Sequence, residues 1–409
     1  MMNACGPRPI SGAMLLGVLL ASAFSTGVAE PAEIADVLRP YVDRSELAGA
    51  VTLVASRDKV LSLEAVGYAD VAAKKPLRTD ALFWIASMSK PIAATALMML
   101  VDEGKVRLDD SVEKYLPQFT PQSMAVTPDG ARVTLQKPHH PITIRNLLSH
   151  TSGVPAVSSI EAPTLDLFPL SVRVQSYALE PLMFEPGTRY SYSNAGINTA
   201  GRVIEVVSGE SFEDFLQRRL FEPLGMKDTG FWLTEAQVQR LAKSYKPDAT
   251  GTGLEEIPIT QLRYPLTDRA NRYAMPAGGL FSTAADLAKF CQMLLNDGMV
   301  GGRRYLSAAA IREMTHNQLT GEAFEQVASY RSRPGDPDGY GLGWSTGPAD
   351  SFGHGGAYST NMHIDPKHGL ATVWLVQHAG FPGEGYKSQE AFDQAVAQRF
   401  TRAADGKTN

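Results

Sequence analysis

The sequence predicts an α+β fold, in which an antiparallel sheet is built from both ends of the chain and a mainly helical domain is inserted between them. Two observations predict this arrangement. Strand patterns occupy residues 49–84 and return after residue 338, whereas the patterns in residues 86–277 are mostly helical. We therefore expect an α/β sandwich with flanking helices, formed by residues 30–85 and 278–409, and an all-α domain formed by residues 86–277.

Residues 1–29 are typical of a secretory signal peptide. Arg8 supplies positive charge ahead of an apolar run at residues 13–24, and the small residues Gly27 and Ala29 suit the positions before a cleavage site. A run of about twelve residues is too short to span a hydrocarbon core of about 30 Å as a helix. We expect a protein exported to the periplasm or secreted, without stable membrane insertion after the signal is removed; an uncleaved anchor is the alternative.

A helix, a β-hairpin and a buried helix are expected next. Apolar positions predict a helix over residues 31–47. The segments "GAVTLVAS", "RDK" and "VLSLEAVGYAD" predict a hairpin whose strands continue to about residue 84. The segment "SMSKPIAATALMMLVDEGKV" then predicts a strongly apolar helix, which Glu103 and Gly104 close in the manner usual for helix C-termini.

Helical patterns dominate the middle of the chain, and strands return at its end. The middle patterns are "TIRNLLSH", "NTAGRVIEVVSG" and "SFEDFLQRRLFEPLG", while residues 118–141 predict a small excursion and residues 245–277 are loop-rich. Two more helices are expected, "STAADLAKFCQMLLNDG" and one near residues 307–317. Strands in "YGLGWS", "SFGHGGAYSTNMHIDP" and "GLATVWLVQ" precede a last helix over residues 387–403.

Composition and charge argue against several function classes. The formal net charge is −5 and there is no basic tract, which argues against nucleic acid as a partner. The two cysteines give no disulfide framework, because Cys5 would leave with the signal and Cys291 lies in an apolar helical pattern typical of a buried thiol. The histidines lack metal-ligand spacing, and no phosphate-binding glycine loop opens a helix, so we expect neither a metal nor another cofactor.

A serine and a lysine three positions apart can form a nucleophile and its base, because these positions lie on one face of a helix. The spacing occurs three times, as Ser56–Lys59, Ser87–Lys90 and Ser111–Lys114. The first falls in the hairpin turn and the third in a polar capping segment. Only Ser87–Lys90 opens an apolar helix, where burial lowers the pKa of a lysine and backbone N–H groups can stabilise an oxyanion. A helix N-cap is the alternative role of Ser87.

Two further segments accompany this pair. "RYSYSNAG" contains Tyr192-Ser193-Asn194, and "SFGHGGAYST" contains His354-Gly355-Gly356. With Ser87–Lys90 in this order, the chain resembles the β-lactamase-like serine hydrolases, a group that includes class C β-lactamases, D-alanyl-D-alanine carboxypeptidases, D-aminopeptidases and β-lactamase-like carboxylesterases. Supporting segments such as "ITIRNLLSHTSGVP" and "PAGGLFSTAADLAKF" extend the resemblance over most of the mature chain. It implies a β-lactamase/transpeptidase-like fold.

The resemblance also implies a role for each matching residue near the nucleophile. Ser87 matches the acylated serine and Lys90 its lysine, and Tyr192 matches the tyrosine that carries protons in the class C-like branch. A tyrosine, whose free pKa is near ~10, becomes a usable base only beside a cation such as Lys90. Asn194 matches the residue that hydrogen-bonds the acyl side chain of the substrate. His150, in "LLSHTSG", is expected to have a structural hydrogen-bonding role.

The segment of His354, Gly355 and Gly356 matches an inner strand that lines the substrate cleft, where glycines let a substrate backbone come close. Backbone N–H groups of Ser87 and Ala357 would form the oxyanion hole. Many β-lactamases and penicillin-binding proteins carry Lys-Thr-Gly at this strand. Because His354 is charged only in part near neutral pH and Gly355 has no hydroxyl group, the segment is less suited to the carboxylate of a β-lactam.

The sequence therefore predicts a serine hydrolase that forms a covalent acyl-enzyme. The preferred hypothesis is a carboxylesterase that acts on small esters. A β-lactamase or a D-amino-acid peptidase of the DD-carboxypeptidase type, acting on a small amide, is the alternative within the same reaction class. A non-catalytic binding protein of the same fold is the alternative outside it.

Overall fold

The computed structural model describes residues 33–127, 130, 132–329 and 338–401, and it confirms the α+β architecture. The predicted signal peptide lies outside these residues. The described helices are α1 (Ile34–Asp43), α2 (Ser89–Asp102), α3 (Ile144–Leu148), α4 (Leu170–Leu179), α5 (Asn194–Ser208), α6 (Phe212–Leu216), α7 (Glu222–Leu224), α8 (Glu235–Val238), α9 (Ala284–Leu295), α10 (Ala308–Thr315), α11 (Gly321–Ser329) and α12 (Ser388–Val396). None of them combines the length and the apolar surface that a membrane span requires.

The described strands are β1 (Gly49–Ser56), β2 (Val60–Asp70), β3 (Lys75–Pro76), β4 (Phe83–Trp84), β5 (Met124–Val126), β6 (Thr134–Gln136), β7 (Ser244–Pro247), β8 (Leu254–Ile257), β9 (Phe281–Ser282), β10 (Met299–Val300), β11 (Arg303–Arg304), β12 (Gly339–Tyr340), β13 (Ser345–Thr346), β14 (Phe352–Gly355), β15 (Asn361–Asp365) and β16 (Leu370–Leu375). The large sheet has the order β12-β13-β14-β15-β16-β1-β2-β3. The strands from the two ends of the chain meet where β1 pairs antiparallel with β16, and Val51 lies opposite Leu375.

Helices cover both faces of this sheet. Successive residues of a strand point to opposite faces, and β1 is buried on both of them. Ala50 and Val54 belong to a core with α1 and α12, whereas Val51 and Leu53 belong to a larger core that includes α9. Cys291 is fully buried in α9, as the sequence predicts.

The most buried helix of the inserted region is α2. Its residues are buried continuously from Ser89 to Leu100, and it packs against α5 and α10. The chain enters this region after β4 and leaves it before β9, and these two short strands pair, with Phe83 opposite Ser282. The domain boundaries at residues 85 and 278 stay predictions, but the chain enters and leaves the inserted region beside this pair of strands.

The strand pattern in "YGLGWS" is interrupted in the structure, because a glycine turn divides the segment between β12 and β13. The Gly341 N–H donates to the Trp344 carbonyl at 2.7 Å. Gly343 has a φ of 77° and lies so close to α2 that a Cβ there would be 2.5 Å from the Cβ of Ala94. The turn therefore needs glycine both for its backbone conformation and for its contact with the helix.

Candidate active site

Ser87 lies in a 3₁₀ turn, Ala86–Met88, between β4 and α2. The Met88 N–H closes this turn by donating to the Ile85 carbonyl at 3.0 Å. Ala86 has a φ of 45°, a left-handed conformation that costs an L-residue roughly 1–2 kcal/mol. The strained residue redirects the chain just before Ser87, which is half-buried between buried neighbours.

The Lys90 side chain is fully buried on α2, one turn after Ser87. Its Nζ lies 3.0 Å from the Ser87 Oγ, 2.8 Å from the Asn194 Oδ1 and 2.7 Å from the Ala277 carbonyl oxygen. Burial lowers the pKa of Lys90 well below its ordinary value, since desolvation disfavours the charged form. The amine is therefore available as a base at a lower pH than a surface lysine.

The partners of Lys90 decide where the lone pair of the neutral amine points. The Asn194 amide oxygen and the Ala277 carbonyl oxygen only accept hydrogen bonds, so they take both N–H groups. The remaining direction, toward the Ser87 Oγ, is left for the lone pair. Lys90 is thus placed to receive the Ser87 proton.

Tyr192 stands beside this pair, with its ring centroid 4.6 Å from the Lys90 Nζ. The residue is 40% exposed, but its hydroxyl lies at Ser87. Desolvation there raises the pKa of Tyr192 above its ordinary value, an effect that the hydrogen bond with the Ser87 side chain opposes. The sequence led us to expect a tyrosine pKa lowered by a lysine cation. The raised pKa keeps Tyr192 protonated, so its hydroxyl is placed to donate a proton rather than to accept one.

The first turn of α5 holds Asn194, and α5 also fixes the Ala277 carbonyl. The Ser193 Oγ caps the helix by accepting the Gly196 N–H at 3.0 Å. One turn later, the Asn198 Oδ1 accepts the Ala277 N–H at 3.1 Å. Both acceptors of Lys90 therefore depend on α5, which explains why the inserted helices matter to the chemistry.

His354, the residue before Gly355 on β14, is buried with both ring nitrogens engaged. Its Nδ1 lies 2.6 Å from the Gly355 carbonyl oxygen and its Nε2 lies 3.1 Å from the Tyr340 hydroxyl. Burial lowers the pKa of His354 to about 3, and the nearby Lys90 adds to this effect. The ring is therefore neutral at neutral pH, and neither of its nitrogens is free for the substrate contact that the sequence predicts.

The two glycines after His354 differ in their surroundings. Gly355 is exposed, and a Cβ there would have its nearest neighbour at 3.6 Å. A Cβ at Gly356 would lie 2.5 Å from the Ile85 carbonyl oxygen, so Gly356 lets the strand end touch the Ser87 turn. Ala357 follows in an exposed turn. An oxyanion hole made by the N–H groups of Ser87 and Ala357 stays a prediction.

A family model described as Beta-lactamase matches residues 34–396 of this chain. The chain belongs to the β-lactamase family. The match covers the Ser87 turn, the α5 N-terminus and β14, which are the three segments that the site brings together. It confirms the family and fold that the sequence resemblance implied.

Relatives within the β-lactamase family include esterases. Protein Rv1367c of Mycobacterium tuberculosis is 33% identical over 369 residues, which cover 83% of this chain and 88% of the relative. Esterase EstB of Burkholderia gladioli is 29% identical over 392 residues, 88% of this chain and 93% of the esterase. The solved structure of EstCE1, described as a hydrolase with promiscuous acyltransferase activity, has a TM-score of 0.72 at 27% identity, covering 89% of this chain and 97% of that chain. Other relatives are penicillin-binding proteins.

The structure adds residues that sequence reasoning missed. Ala277 contributes only a backbone carbonyl, for which side-chain patterns give no signal. Tyr340 lies in the quoted segment "YGLGWS" and joins His354 to His150, whose Nε2 is 3.1 Å from the tyrosine hydroxyl. In the sequence, Tyr340 is marked by its polar side chain within an apolar, glycine-rich segment. That pattern does not indicate its hydrogen-bond partners, His150 and His354.

Proposed function

We propose that this protein is a serine hydrolase that forms a covalent acyl-enzyme at Ser87 and that its substrates are small carboxylic esters. The observation that carries the proposal is the environment of Lys90, a buried amine of lowered pKa with two fixed acceptors and its third direction toward Ser87. Such an arrangement activates a hydroxyl that is otherwise a weak nucleophile.

The proposed reaction uses two proton carriers. The Ser87 Oγ attacks the ester carbonyl carbon while Lys90 takes the hydroxyl proton, giving a tetrahedral oxyanion. The oxyanion collapses, the bond to the alkoxy group breaks, and that group leaves as an alcohol with a proton from Tyr192. Lys90 returns a proton to the tyrosine. Water then attacks the acyl-enzyme with the amine again as base, which releases the carboxylic acid and restores Ser87.

Two features support an ester rather than a β-lactam. The sequence resemblance matches His354 to the position at which many β-lactamases and penicillin-binding proteins carry the lysine of Lys-Thr-Gly. A neutral histidine with both nitrogens engaged offers neither charge nor a free donor to a substrate carboxylate. Esterase EstB, with 29% identity, is among the relatives.

The test compares two serines that share the same spacing to a lysine. Ser87→Ala should abolish turnover of p-nitrophenyl acetate and the acyl mass increase that the wild-type protein shows. Ser111→Ala is the matched control, because Lys114 is instead paired with Asp110 at 2.8 Å near the surface. It should behave as wild type. Activity retained by Ser87→Ala would refute the proposal.

A substrate panel separates the proposed esterase from its alternatives within the class. We expect turnover of short-chain esters to exceed that of nitrocefin and of D-alanyl-D-alanine peptides, measured as kcat/KM. Faster nitrocefin turnover would assign a β-lactamase instead, and faster peptide turnover a D-amino-acid peptidase. A protein that no fluorophosphonate or penicillin labels at Ser87 would be a binding protein of this fold.

We also propose export to the periplasm or the medium, from the pattern of residues 1–29. Expression of the full chain in a bacterial host, followed by intact mass measurement of the periplasmic fraction, tests it. A protein that starts near residue 30 is the expected product. A full-length chain that stays with the cytoplasmic fraction would refute export.

A further inference from the structure

His150 contacts Tyr192, and Tyr340 contacts His150, but neither takes part in the reaction described above. His150 is fully buried and has a φ of 60°, the left-handed region that L-residues avoid. Its ring centroid lies 4.5 Å from that of Tyr192 and 4.7 Å from that of Tyr340. A strained residue that persists in a site indicates that its surroundings fix it there.

His150 receives hydrogen bonds from both residues that flank Tyr192. The Ser191 N–H donates to the His150 carbonyl oxygen at 2.9 Å, and the Ser193 N–H donates to the His150 Nδ1 at 3.1 Å. One residue thus binds the backbone on each side of Tyr192, while its ring packs against the tyrosine ring. These two hydrogen bonds restrict the position of Tyr192 more than ring packing alone would.

The Ser193 contact also decides the tautomer of His150. Because a backbone N–H can only donate, the Nδ1 must carry a lone pair. Burial lowers the pKa of His150 well below its ordinary value, so the ring carries one proton. That proton is on Nε2, which donates to the Tyr340 hydroxyl at 3.1 Å.

His354 fixes the other end of the chain of hydrogen bonds. The Gly355 carbonyl can only accept, so the His354 Nδ1 carries the proton and its Nε2 accepts from the Tyr340 hydroxyl at 3.1 Å. Tyr340 therefore accepts from one histidine and donates to the other. Every proton position follows from the two backbone groups at the ends, and His150 and His354 must be opposite tautomers.

We propose that His150 is a positioning residue, which holds Tyr192 against Ser87 and Lys90, and that Tyr340, whose own proton goes to His354, stabilises the His150 tautomer able to do so. The inference rests on the proposed role of Tyr192 as proton carrier. The ionisable groups around these rings are Lys90 from α2, together with Tyr190 and Tyr192 from the segment before α5. The hydrogen bonds themselves can be tested without any substrate.

The first measurement is nitrogen-15 NMR of the wild-type protein labelled in its histidine rings, at neutral pH. We expect His150 to carry its proton on Nε2 and His354 on Nδ1. Variants that lack one histidine at a time assign the signals. Equal tautomers, or an imidazolium at either position, would overturn the proposal even if the protein is an active esterase.

The second measurement uses Tyr340→Phe, which keeps the ring and removes the hydroxyl. We expect kcat for ester hydrolysis to fall on the order of 10- to 100-fold with KM little changed, because Tyr192 loses its alignment. Hydrogen exchange at the Ser191 and Ser193 amides should accelerate. The control Tyr245→Phe removes another buried hydroxyl, which accepts the Val71 N–H at 2.8 Å, and should keep wild-type kcat.

A folded Tyr340→Phe protein with wild-type kcat, or with unchanged exchange at Ser193, would refute the positioning role. If the variant does not fold, the wild-type tautomers decide the question. Failure of the proposed function has a different signature. In that case the wild-type protein neither hydrolyses esters nor is labelled at Ser87, and the NMR and exchange measurements still test the hydrogen bonds.

Discussion

Replacing Gly356 with alanine should slow catalysis, because the added methyl group would collide with the turn that carries Ser87. The new Cβ would lie 2.2 Å from the Thr360 Oγ1 and 2.5 Å from the Ile85 carbonyl oxygen, whereas real Cβ atoms essentially never come within 3.0 Å of a neighbour. The Thr360 side chain can rotate away, but the Ile85 carbonyl belongs to the backbone. The strand end and the Ser87 turn must therefore separate by at least about 0.5 Å, the difference between these distances. The same carbonyl accepts the Met88 N–H that closes the turn.

The size of the effect follows from how catalysis depends on alignment. Overpacking of this kind typically costs about 1–3 kcal/mol of stability. Displacing a nucleophile by a comparable distance lowers the rate on the order of 10- to 100-fold. Thermal unfolding measures the first quantity, and the rate at which a small fluorophosphonate labels Ser87 measures the second.

Gly355→Ala is the matched control for Gly356→Ala. Its new Cβ would have ordinary contacts at 3.6 and 3.7 Å, and neither glycine has a positive φ. We expect stability within about 0.5 kcal/mol of wild type and near-normal labelling of Ser87. Equal effects of the two substitutions would refute the argument, since they would show that the contact with Ile85 does not hold the nucleophile in place.

Three further predictions concern ionisation and the support of the base. Lys90→Arg keeps a permanent cation, so ester turnover should fall on the order of 10²–10⁴-fold, and the wild-type rise of kcat/KM with pH as Lys90 loses its proton should disappear. His354 is buried in its neutral form, with a pKa of about 3 in the folded protein against about 6.5 in the unfolded chain. As the pH falls from 6.5 to 3, only the unfolded state gains this proton, so the free energy of unfolding should fall by on the order of 5 kcal/mol. His354→Gln should flatten that part of a urea-unfolding pH series. Asn198→Ala removes the acceptor of the Ala277 N–H, so it should lower both kcat and stability, the latter by about 1–3 kcal/mol in thermal unfolding.

The parts of the fold and site that depend on local spacing could be predicted from the sequence. Ser87 and Lys90 are one helical turn apart, and the apolar pattern of α2 indicates a desolvated lysine. The sheet built from both chain ends follows from where the strand patterns lie. The turn in "YGLGWS" could not be predicted in this way, because it depends on the contact of Gly343 with Ala94 on another element.

The protonation states could not be predicted from the sequence either. From composition alone, His354 is a group of ordinary pKa and Tyr192 is a tyrosine beside a cation. Burial reverses both expectations, because it disfavours the charged forms of Lys90, His354 and Tyr192 alike. Ala277 and Tyr340 act through a backbone carbonyl and a hydroxyl contributed by distant parts of the chain, which no local pattern records.

The neutral state of the site bears directly on substrate choice. A lysine at the His354 position would carry a charge that a substrate carboxylate could use. The histidine instead gives up its hydrogen-bonding capacity to Tyr340 and Gly355, and recharging it requires a pH near 3. At neutral pH the strand therefore contributes shape and backbone groups but no side-chain charge. An ester without a carboxylate needs no cationic side chain in such a cleft, whereas the carboxylate of a β-lactam would find no cationic partner at the His354 position.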